Sequence, residues 1–223
     1  GLGEVSVIRR PVIAVVATGD ELILPGQPHR DGFVYNSNTY SIAAEIERYG
    51  GTPRICGIAR DTIESLNGVL NEALDGADLV VTSAGVSKGD YDVVKDVLAE
   101  RGEIALWSVR MRPAKPLAFG ALQAADGRIV PHLGLPGNPV SVMVAFEQFG
   151  RPAIARMLGK PPTEKPTIKA ILDDPITNHD GRRVYARVVV YRGDAGEYRA
   201  KTTGSQSSNV LTSMATANGL AIC

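Results

Sequence analysis

The sequence has few cysteines, few aromatic residues and no net charge. Its 223 residues include only Cys56 and Cys223, and aromatic residues make up 5%. Two cysteines outside any C-x-x-C pattern exclude a disulfide framework and favour the cytoplasm. The three histidines have no zinc-site spacing. Because 24 basic residues balance 24 acidic ones, the composition does not favour a nucleic-acid partner.

Long hydrophobic runs are also missing. No uncharged apolar stretch approaches the roughly 20 residues that a membrane helix needs, and no signal segment opens the chain, so we expect no membrane partner. The chain begins with Gly1 and stops at Cys223 inside an apolar run. We therefore expect a fragment of a longer protein.

The first 158 residues alternate strand-like and helix-like patterns. Pro11–Ala17 is a continuous apolar run, typical of a strand buried on both faces. Further strand candidates are Arg54–Ala59, Asp78–Thr82, Ile104–Val109, Leu117–Leu122 and Arg128–Leu133. Helix candidates are Asn36–Tyr49, a segment capped by Asp61 that runs to Leu74, Val93–Leu98, and Asn138–Leu158 with a bend near Gly150–Pro152. This alternation predicts an α/β fold of three layers, a mostly parallel sheet with helices on both faces.

The pattern divides the chain into two predicted domains. Residues 1–10 are a linker, 11–158 the α/β domain, 159–166 a second linker and 167–223 a small all-β, barrel-like domain. Ligands of such α/β folds bind at the carboxyl ends of the strands. The functional loops should therefore follow Ala17, Thr82 and Leu133.

The first of these loops begins Thr18-Gly19-Asp20-Glu21. Glycine allows a tight turn against a ligand, and two neighbouring carboxylates suit Mg²⁺. A solvated turn that caps a helix explains the same residues equally well.

The second loop, Ser83–Asp92, contains two glycines and two serines before a predicted helix. Backbone N–H groups and hydroxyls in this arrangement form a cradle for an anion. Asp90 and Asp92 would repel a bound phosphate unless they hold a metal or move a proton. Capping of the helix is the alternative role for both aspartates.

Two more loops carry anion-binding chemistry. In Met111–Pro116, Arg112 and Lys115 form a stiff basic patch that could clamp an oxyanion or be an ordinary surface charge pair. In Gly134–Pro139, Asn138 is a good N-cap and Pro139 a good first helical residue. The free N–H groups of the next turn would then face an anion.

The order of these motifs resembles one family. Thr-Gly-Asp-Glu-Leu, Ser-x-Gly-Val-Ser-x-Gly-x-x-Asp, x-Pro-x-Lys-Pro and Gly-Leu-Pro-Gly-Asn-Pro follow one another as in molybdopterin molybdenumtransferases, whose relatives include the C-terminal part of gephyrin. Gly181–Arg187 and Thr202–Ser208 are similar to the C-terminal β-barrel of that family. The resemblance extends from about Pro11 to the end of the chain.

The resemblance implies an enzyme that inserts molybdate into adenylylated molybdopterin and releases AMP with the help of Mg²⁺. The residues that match catalytic and metal-binding positions are Glu21, Asp61 and Asp92. The residues that match the pterin-binding positions are Thr18, Gly19, Asp20, Ser83, Gly85, Ser87, Gly89, Lys115, Pro116, Pro136, Gly137 and Pro139. The residues that match molybdate positions are Arg182, Arg187 and Ser208.

The chain departs from the family pattern in three ways. Ala84 stands where the family usually has glycine, and Arg112 often has lysine as its counterpart. The two N-terminal domains that shape the family's homodimer are missing, so the fragment could bind ligand without turnover. Two alternative functions stay open: a molybdopterin adenylyltransferase, which is also a potential partner but lacks the β-domain, and a non-catalytic scaffold module.

Overall fold

The structure is a computed structural model that describes residues 1–85, 93–161 and 163–223. In chain order its strands are β1 (Val12–Thr18), β2 (Leu22–Ile23), β3 (Val34–Tyr35), β4 (Thr52–Ala59), β5 (Leu79–Ser83), β6 (Gly102–Ser108), β7 (Met111–Arg112), β8 (Pro116–Gln123), β9 (Ile129–Leu135), β10 (Ile171–Leu172), β11 (Arg183–Arg192), β12 (Tyr198–Thr202) and β13 (Gly219–Ile222). Its helices are α1 (Asn38–Arg48), α2 (Ile63–Leu74), α3 (Val93–Arg101), α4 (Pro139–Ala145), α5 (Arg151–Met157) and α6 (Thr212–Thr216).

The central sheet has the strand order β4-β1-β5-β9-β8-β6. The pairs of β1 with β4, β1 with β5 and β5 with β9 are parallel, and β8 pairs antiparallel with both β9 and β6. β8 is therefore the one strand of this sheet that runs against the others. The prediction of a mostly parallel sheet is confirmed.

Both faces of this sheet are covered, as the apolar run of β1 predicts. Ile13 and Val15 pack with α1 and α4 on one face, whereas Ala14 and Val16 pack with α2 and α3 on the other. Because successive side chains of a strand point to opposite faces of the sheet, a strand that is buried on both faces must be apolar at every position. The three-layer prediction is confirmed, and the ends of β1, β5 and β9 meet at one edge.

Two predicted helix starts need correction. α1 begins at Asn38 rather than Asn36, because the Asn36 side chain accepts the backbone N–H of Thr39 at 3.2 Å and ends the preceding loop. α2 is capped by Thr62, whose hydroxyl accepts the Ser65 N–H at 3.2 Å, and not by Asp61. The carboxylate of Asp61 instead bonds the loop after β1.

The predicted helix 138–158 is interrupted where the sequence suggested a bend. A π-helical turn, Phe146–Gly150, separates α4 from α5. Pro152 has no N–H for an ordinary helical bond to Gln148, which favours a wider turn here. A side chain at position 150 would lie 2.6 Å from the Phe146 ring, so glycine is required for this packing.

The C-terminal part is rich in β-structure, as predicted. β11 pairs antiparallel with β12 and β13, and β10 joins β12. β7, from the first predicted domain, pairs parallel with the start of β11. The short helix α6 was not predicted, because five residues are too few to show a helical repeat.

Within the residues that the structure describes, no helix has the length and hydropathy to cross a membrane.

Candidate functional site

Two cavities lie at the edge of the central sheet where β1, β5 and β9 end. The first, which we call the loop cavity, has a volume of about 640 Å³. Its lining residues come from the loops after β1 and β5, from the start of α4 and from the segment before α6: Thr18, Glu21, Leu22, Val34, Tyr35, Asn36, Ser37, Asn38, Ser83, Ala84, Gly85, Gly137, Asn138, Pro139, Asn209 and Leu211.

Hydrogen bonds between adjacent strand ends hold the loop cavity together. The Thr18 hydroxyl donates to the carbonyl of Ser83 at 3.3 Å, and the Ala84 N–H donates to the carbonyl of Leu135 at 3.0 Å. Thr18 and Ser83 are both buried. The structure thus brings together the predicted residues Thr18, Glu21, Ser83 and Gly85 in one cavity.

Gly19 places the Glu21 carboxylate in this cavity. Its φ of 140° lies in a region that side chains rarely adopt, and a Cβ there would be 2.5 Å from the Glu21 Oε2. The Glu21 side chain therefore folds back over the bare Cα of Gly19. Among the described lining residues, Glu21 is the only one with a charged side chain.

Asp20 and Asp61 bind each other's backbone instead of facing a cavity. The Asp20 N–H donates to Asp61 Oδ2 at 3.3 Å, and the Asp61 N–H donates to Asp20 Oδ1 at 3.1 Å. The Arg60 guanidinium adds a bond to the Asp20 carbonyl at 2.9 Å. Gly19, Asp20 and Asp61 are not among the residues that line the two cavities.

The described residues do not form a metal site. They contain no cluster of three or more Asp, Glu, His or Cys side chains suited to a cation. Of the predicted metal ligands in the described residues, Glu21 lines the loop cavity, and the carboxylate of Asp61 accepts the Asp20 N–H. Asp92, the third predicted metal ligand, lies outside the described residues.

The start of the predicted anion cradle has an unusual backbone. Ala84 and Gly85 both have positive φ, 76° and 74°. A Cβ on Gly85 would come within 2.6 Å of the buried Val94 side chain, so a substitution there disturbs packing as well as any ligand. Ser87 and Gly89 lie outside the described residues.

The second cavity, which we call the basic cavity, has a volume of about 720 Å³. It shares Gly137 and Asn138 with the loop cavity. The Asn38 side chain supports this shared wall by donating to the Gly137 carbonyl at 2.7 Å. The other residues that line the basic cavity are Met111, Arg112, Pro113, Ala114, Lys115, Pro116, Pro136, Ser141, Pro175, Ile176, Thr177, Arg182, Val184, Tyr185, Ala186, Arg187, Thr202, Gln206, Ser207 and Ser208.

The basic cavity combines two predicted sets. Lys115, Pro116 and Pro136, which match pterin-binding positions of the family, lie here with the molybdate set Arg182, Arg187 and Ser208. Its described lining holds four arginine or lysine side chains and no aspartate or glutamate. A cavity of this composition favours an anion with several negative oxygens.

Arg187 is the most buried of these cations, with 1% exposure. Its Nε donates to the hydroxyl of Ser213 at 3.1 Å, and its Nη2 donates to the carbonyls of Ser207 at 3.1 Å and Ser205 at 3.4 Å. Nη1 makes no hydrogen bond to the described residues, and no described carboxylate pairs with the guanidinium. Burial lowers the pKa of Arg187, as expected for a charge without a counterion.

The other three cations are more exposed or already engaged. The Arg182 Nε donates to Asp180 Oδ2 at 2.7 Å, and this bond lowers the pKa of Asp180 to about 2. Arg112 donates to the Thr177 carbonyl at 3.1 Å, and Lys115 is exposed. Arg187 is therefore the best placed of the four to hold an anion inside the protein.

One backbone donor at the start of α4, where the sequence predicts an anion site, already has a partner in the protein. Asn138 is the N-cap residue and Pro139 follows it, as predicted, but the Asn138 side chain makes no capping bond. The Val140 N–H donates to the backbone carbonyl of Ser208 at 3.0 Å. The N–H of Val140 therefore bonds a carbonyl that lies some 70 residues away in the chain, which the local sequence does not predict.

Two side chains that contact Arg187 in this site were not identified from the sequence. Gln206 pairs with both backbone groups of Arg187: its Oε1 accepts the N–H at 2.8 Å and its Nε2 donates to the carbonyl at 3.1 Å. Gln206 stood inside the motif Thr202–Ser208, which was a usable signal. Ser213, the acceptor of Arg187 Nε, belongs to no motif, and sequence offered no signal for it.

Comparison with known proteins agrees with these two parts. A family model described as "Probable molybdopterin binding domain" matches residues 14–156, and one described as "MoeA C-terminal region (domain IV)" matches residues 169–223. The exact domain boundaries stay a prediction.

Individual relatives point the same way. The chain is 37% identical over 98% of its length to a molybdopterin molybdenumtransferase of Nostoc sp. and 32% identical over 98% to that of Haemophilus influenzae, covering 50% and 53% of them. The crystal structure of a molybdopterin biosynthesis MoeA protein from Pyrococcus horikosii aligns with a TM-score of 0.78 and 29% identity, over 96% of this chain and 50% of that one. The chain spans about half the length of the curated relatives it matches. It belongs to the molybdopterin-binding domain family, and its residues 169–223 match the MoeA C-terminal region.

Proposed function

We propose that this chain is the ligand-binding half of a molybdopterin molybdenumtransferase, which inserts molybdate into adenylylated molybdopterin and releases AMP. The observation that carries the proposal is the basic cavity, where four cations and no described carboxylate adjoin the loop cavity across Gly137 and Asn138. Molybdate is a small dianion with four oxygens, and it suits this cavity. The two substrates would then meet at the shared wall.

The proposal gives each cavity a task. Arg187, with Arg182 and Ser208 of the same lining, holds molybdate in the basic cavity. Thr18, Ser83 and the backbone at Gly85 hold the pterin phosphate in the loop cavity. Guanidinium N–H groups suit an oxyanion because they carry charge and fixed geometry together.

Several finer assignments rest on the sequence. Glu21 and Asp92 match the family's metal-binding positions, and Mg²⁺ is the expected ion, although the described residues supply Glu21 alone at the cavity. Asp61 holds the Asp20 turn, and a metal role for it stays a prediction. We expect a homodimer in the cytoplasm when the N-terminal domains of the family are attached.

AMP release tests this function directly. The chain joined to the N-terminal domains of the family is incubated with adenylylated molybdopterin and Mg²⁺, with and without molybdate, and AMP is measured. We expect tight binding of both substrates and AMP release that depends on molybdate. Release without molybdate would contradict insertion and indicate simple hydrolysis.

The same samples separate the two alternative functions. Formation of adenylylated molybdopterin from ATP and molybdopterin would identify an adenylyltransferase; the match of residues 169–223 to the MoeA C-terminal region argues against it. Binding of neither substrate in a folded chain would leave the scaffold function.

A further inference from the structure

Ser213 is not part of the lining of the basic cavity, but it contacts Arg187, which is. It is 2% exposed and belongs to the first turn of α6. Its hydroxyl accepts the Arg187 Nε–H at 3.1 Å and donates to the Val210 carbonyl at 2.7 Å. A hydroxyl has one proton, so donation to Val210 leaves its lone pairs for Arg187.

The hydroxyl is not needed to satisfy the Val210 carbonyl. That carbonyl also accepts the backbone N–H of Ser213, at 3.1 Å. Removal of the hydroxyl therefore leaves Val210 bonded and deprives only Arg187 Nε of its partner. Loss of the hydroxyl therefore tests the contact of Ser213 with the Arg187 guanidinium without removing a hydrogen bond that the helix needs.

Other residues fix the backbone and the Nη2 group of Arg187. The Gln206 amide bonds both of its backbone groups, and the carbonyls of Ser205 and Ser207 hold Nη2. The bond to Ser213 is the only described one at Nε. With Nε and Nη2 both fixed, the plane of the guanidinium and the direction of Nη1 are set before a ligand arrives.

We infer that Ser213 is a positioning residue for oxyanion binding: it orients the Arg187 guanidinium so that Nη1 meets an anion in the basic cavity. The inference rests on the proposed function for the identity of the anion. Preorganised donors bind more tightly because no freedom is lost at the moment of binding. Ser213 does not itself line the cavity, so it acts on the anion only through Arg187.

Three variants test the inference, with sodium molybdate as the probe and calorimetry as the measurement. Ser213→Ala removes the acceptor, Ser213→Thr restores it, and Thr216→Ala removes another hydroxyl of the same helix, which bonds only Thr212 at 3.1 Å. We expect the affinity to fall about tenfold in Ser213→Ala, the scale of outer partners at metal sites. We expect values within about twofold of the unaltered chain in the other two.

A second measurement does not need a ligand. The ¹H–¹⁵N resonance of Arg187 Nε, identified by its loss in Arg187→Lys, should be present in the unaltered chain and in Ser213→Thr. It should shift or broaden in Ser213→Ala, because the proton then lacks its acceptor. Ser213→Cys, of similar volume but a poor acceptor, repeats both measurements if the alanine variant does not fold.

The outcomes separate the two proposals. Normal molybdate affinity and an unchanged Nε resonance in folded Ser213→Ala would overturn the positioning role. An equal loss of affinity in Ser213→Ala and Ser213→Thr would also overturn it, since packing would then be the cause. If the unaltered chain does not bind molybdate, the proposed function fails, and the Nε resonance still decides whether Ser213 orients Arg187.

Discussion

The loop cavity and the basic cavity share a wall but differ in the charge of the side chains that line them. The loop cavity is lined by small polar residues together with apolar side chains near the ends of neighbouring strands, and Glu21 is its only described charge. The lining of the basic cavity includes four cationic side chains from two segments, Arg112 and Lys115 before β8 and Arg182 and Arg187 at β11. Backbone groups keep their polarity wherever the loop folds, whereas a buried guanidinium needs several partners to fix it. We therefore expect the two cavities to fail in different ways.

Removal of the buried cation should have the largest effect. We expect Arg187→Met to weaken molybdate binding about a hundredfold, because two bonds to a charged donor contribute roughly 3 kcal/mol or more. Binding of the pterin substrate in the loop cavity should stay within about twofold. Calorimetry with each substrate measures both.

Arg183→Met is the matched control for this prediction. Arg183 is exposed, lies four positions earlier on the same strand and does not line the basic cavity. Equal losses in the two variants would mean that net charge alone, and not the Arg187 site, attracts the anion.

Glu21→Gln is the reciprocal test in the loop cavity. It removes the one described charge there and keeps the shape of the side chain. We expect AMP release to fall by about a hundredfold, on the scale of a lost acid–base or metal contact, with molybdate affinity unchanged. Glu64→Gln, at an exposed position of α2, is the control. Unchanged release in Glu21→Gln would restrict Glu21 to packing over Gly19.

A fall in pH should weaken the buried part of the central sheet behind the functional loops. His132 is fully buried, its Nε2 lies 3.1 Å from the Thr82 hydroxyl, and burial lowers its pKa to about 4. The unfolded chain, with an ordinary histidine pKa, binds more protons between pH 6.5 and 4. Stability is therefore lost as pH falls through this window, by about 2 kcal/mol at pH 5.

Urea unfolding at pH 7 and pH 5 measures this loss. His132→Gln has no ionisable group, so its stability should fall about 2 kcal/mol less between these pH values. His29→Gln, at an exposed position, should behave like the unaltered chain. Equal pH dependence in all three proteins would show that other groups cause it.

The smallest effect concerns the backbone strain in each cavity. Ala84 in the loop cavity and Ala114 in the basic cavity both have positive φ, 76° and 72°. We expect Ala84→Gly and Ala114→Gly each to raise the free energy of unfolding by about 1 kcal/mol, or Tm by roughly 2–4 °C. Ala121→Gly, inside β8, should lower stability by roughly 0.5–1 kcal/mol. A loss of stability in Ala84→Gly would mean that the packing of the alanine methyl group outweighs the strain.

The loop cavity was largely predictable from sequence. Thr18, Glu21, Ser83 and Gly85 follow apolar runs, and parallel strands bring their carboxyl ends to one edge. The sequence did not predict local details, such as the helix cap at Thr62 and the hydrogen bonds between Asp20 and Asp61. Several polar residues compete for each turn, and propensity alone does not choose between them.

The basic cavity was predictable only as a list of residues. Motifs named Arg182, Arg187 and Ser208, but not that Arg187 is buried or that Ser208 caps α4 with its carbonyl. The half-buried, acid-paired Arg182 and the buried Arg187 look alike in sequence.

The sequence by itself determined the α/β architecture, the sheet edge that carries the loops and the family, because hydrophobic periodicity and ordered motifs are local features. The tertiary structure alone decided that β7 joins β11, that two cavities of opposite charge share Gly137, and that Ser213 supports Arg187. Each of these depends on groups far apart in the chain that meet only when both are buried. A buried hydrogen-bond donor without an acceptor costs free energy. The tertiary structure, and not the neighbouring sequence, therefore determines which distant group becomes its acceptor.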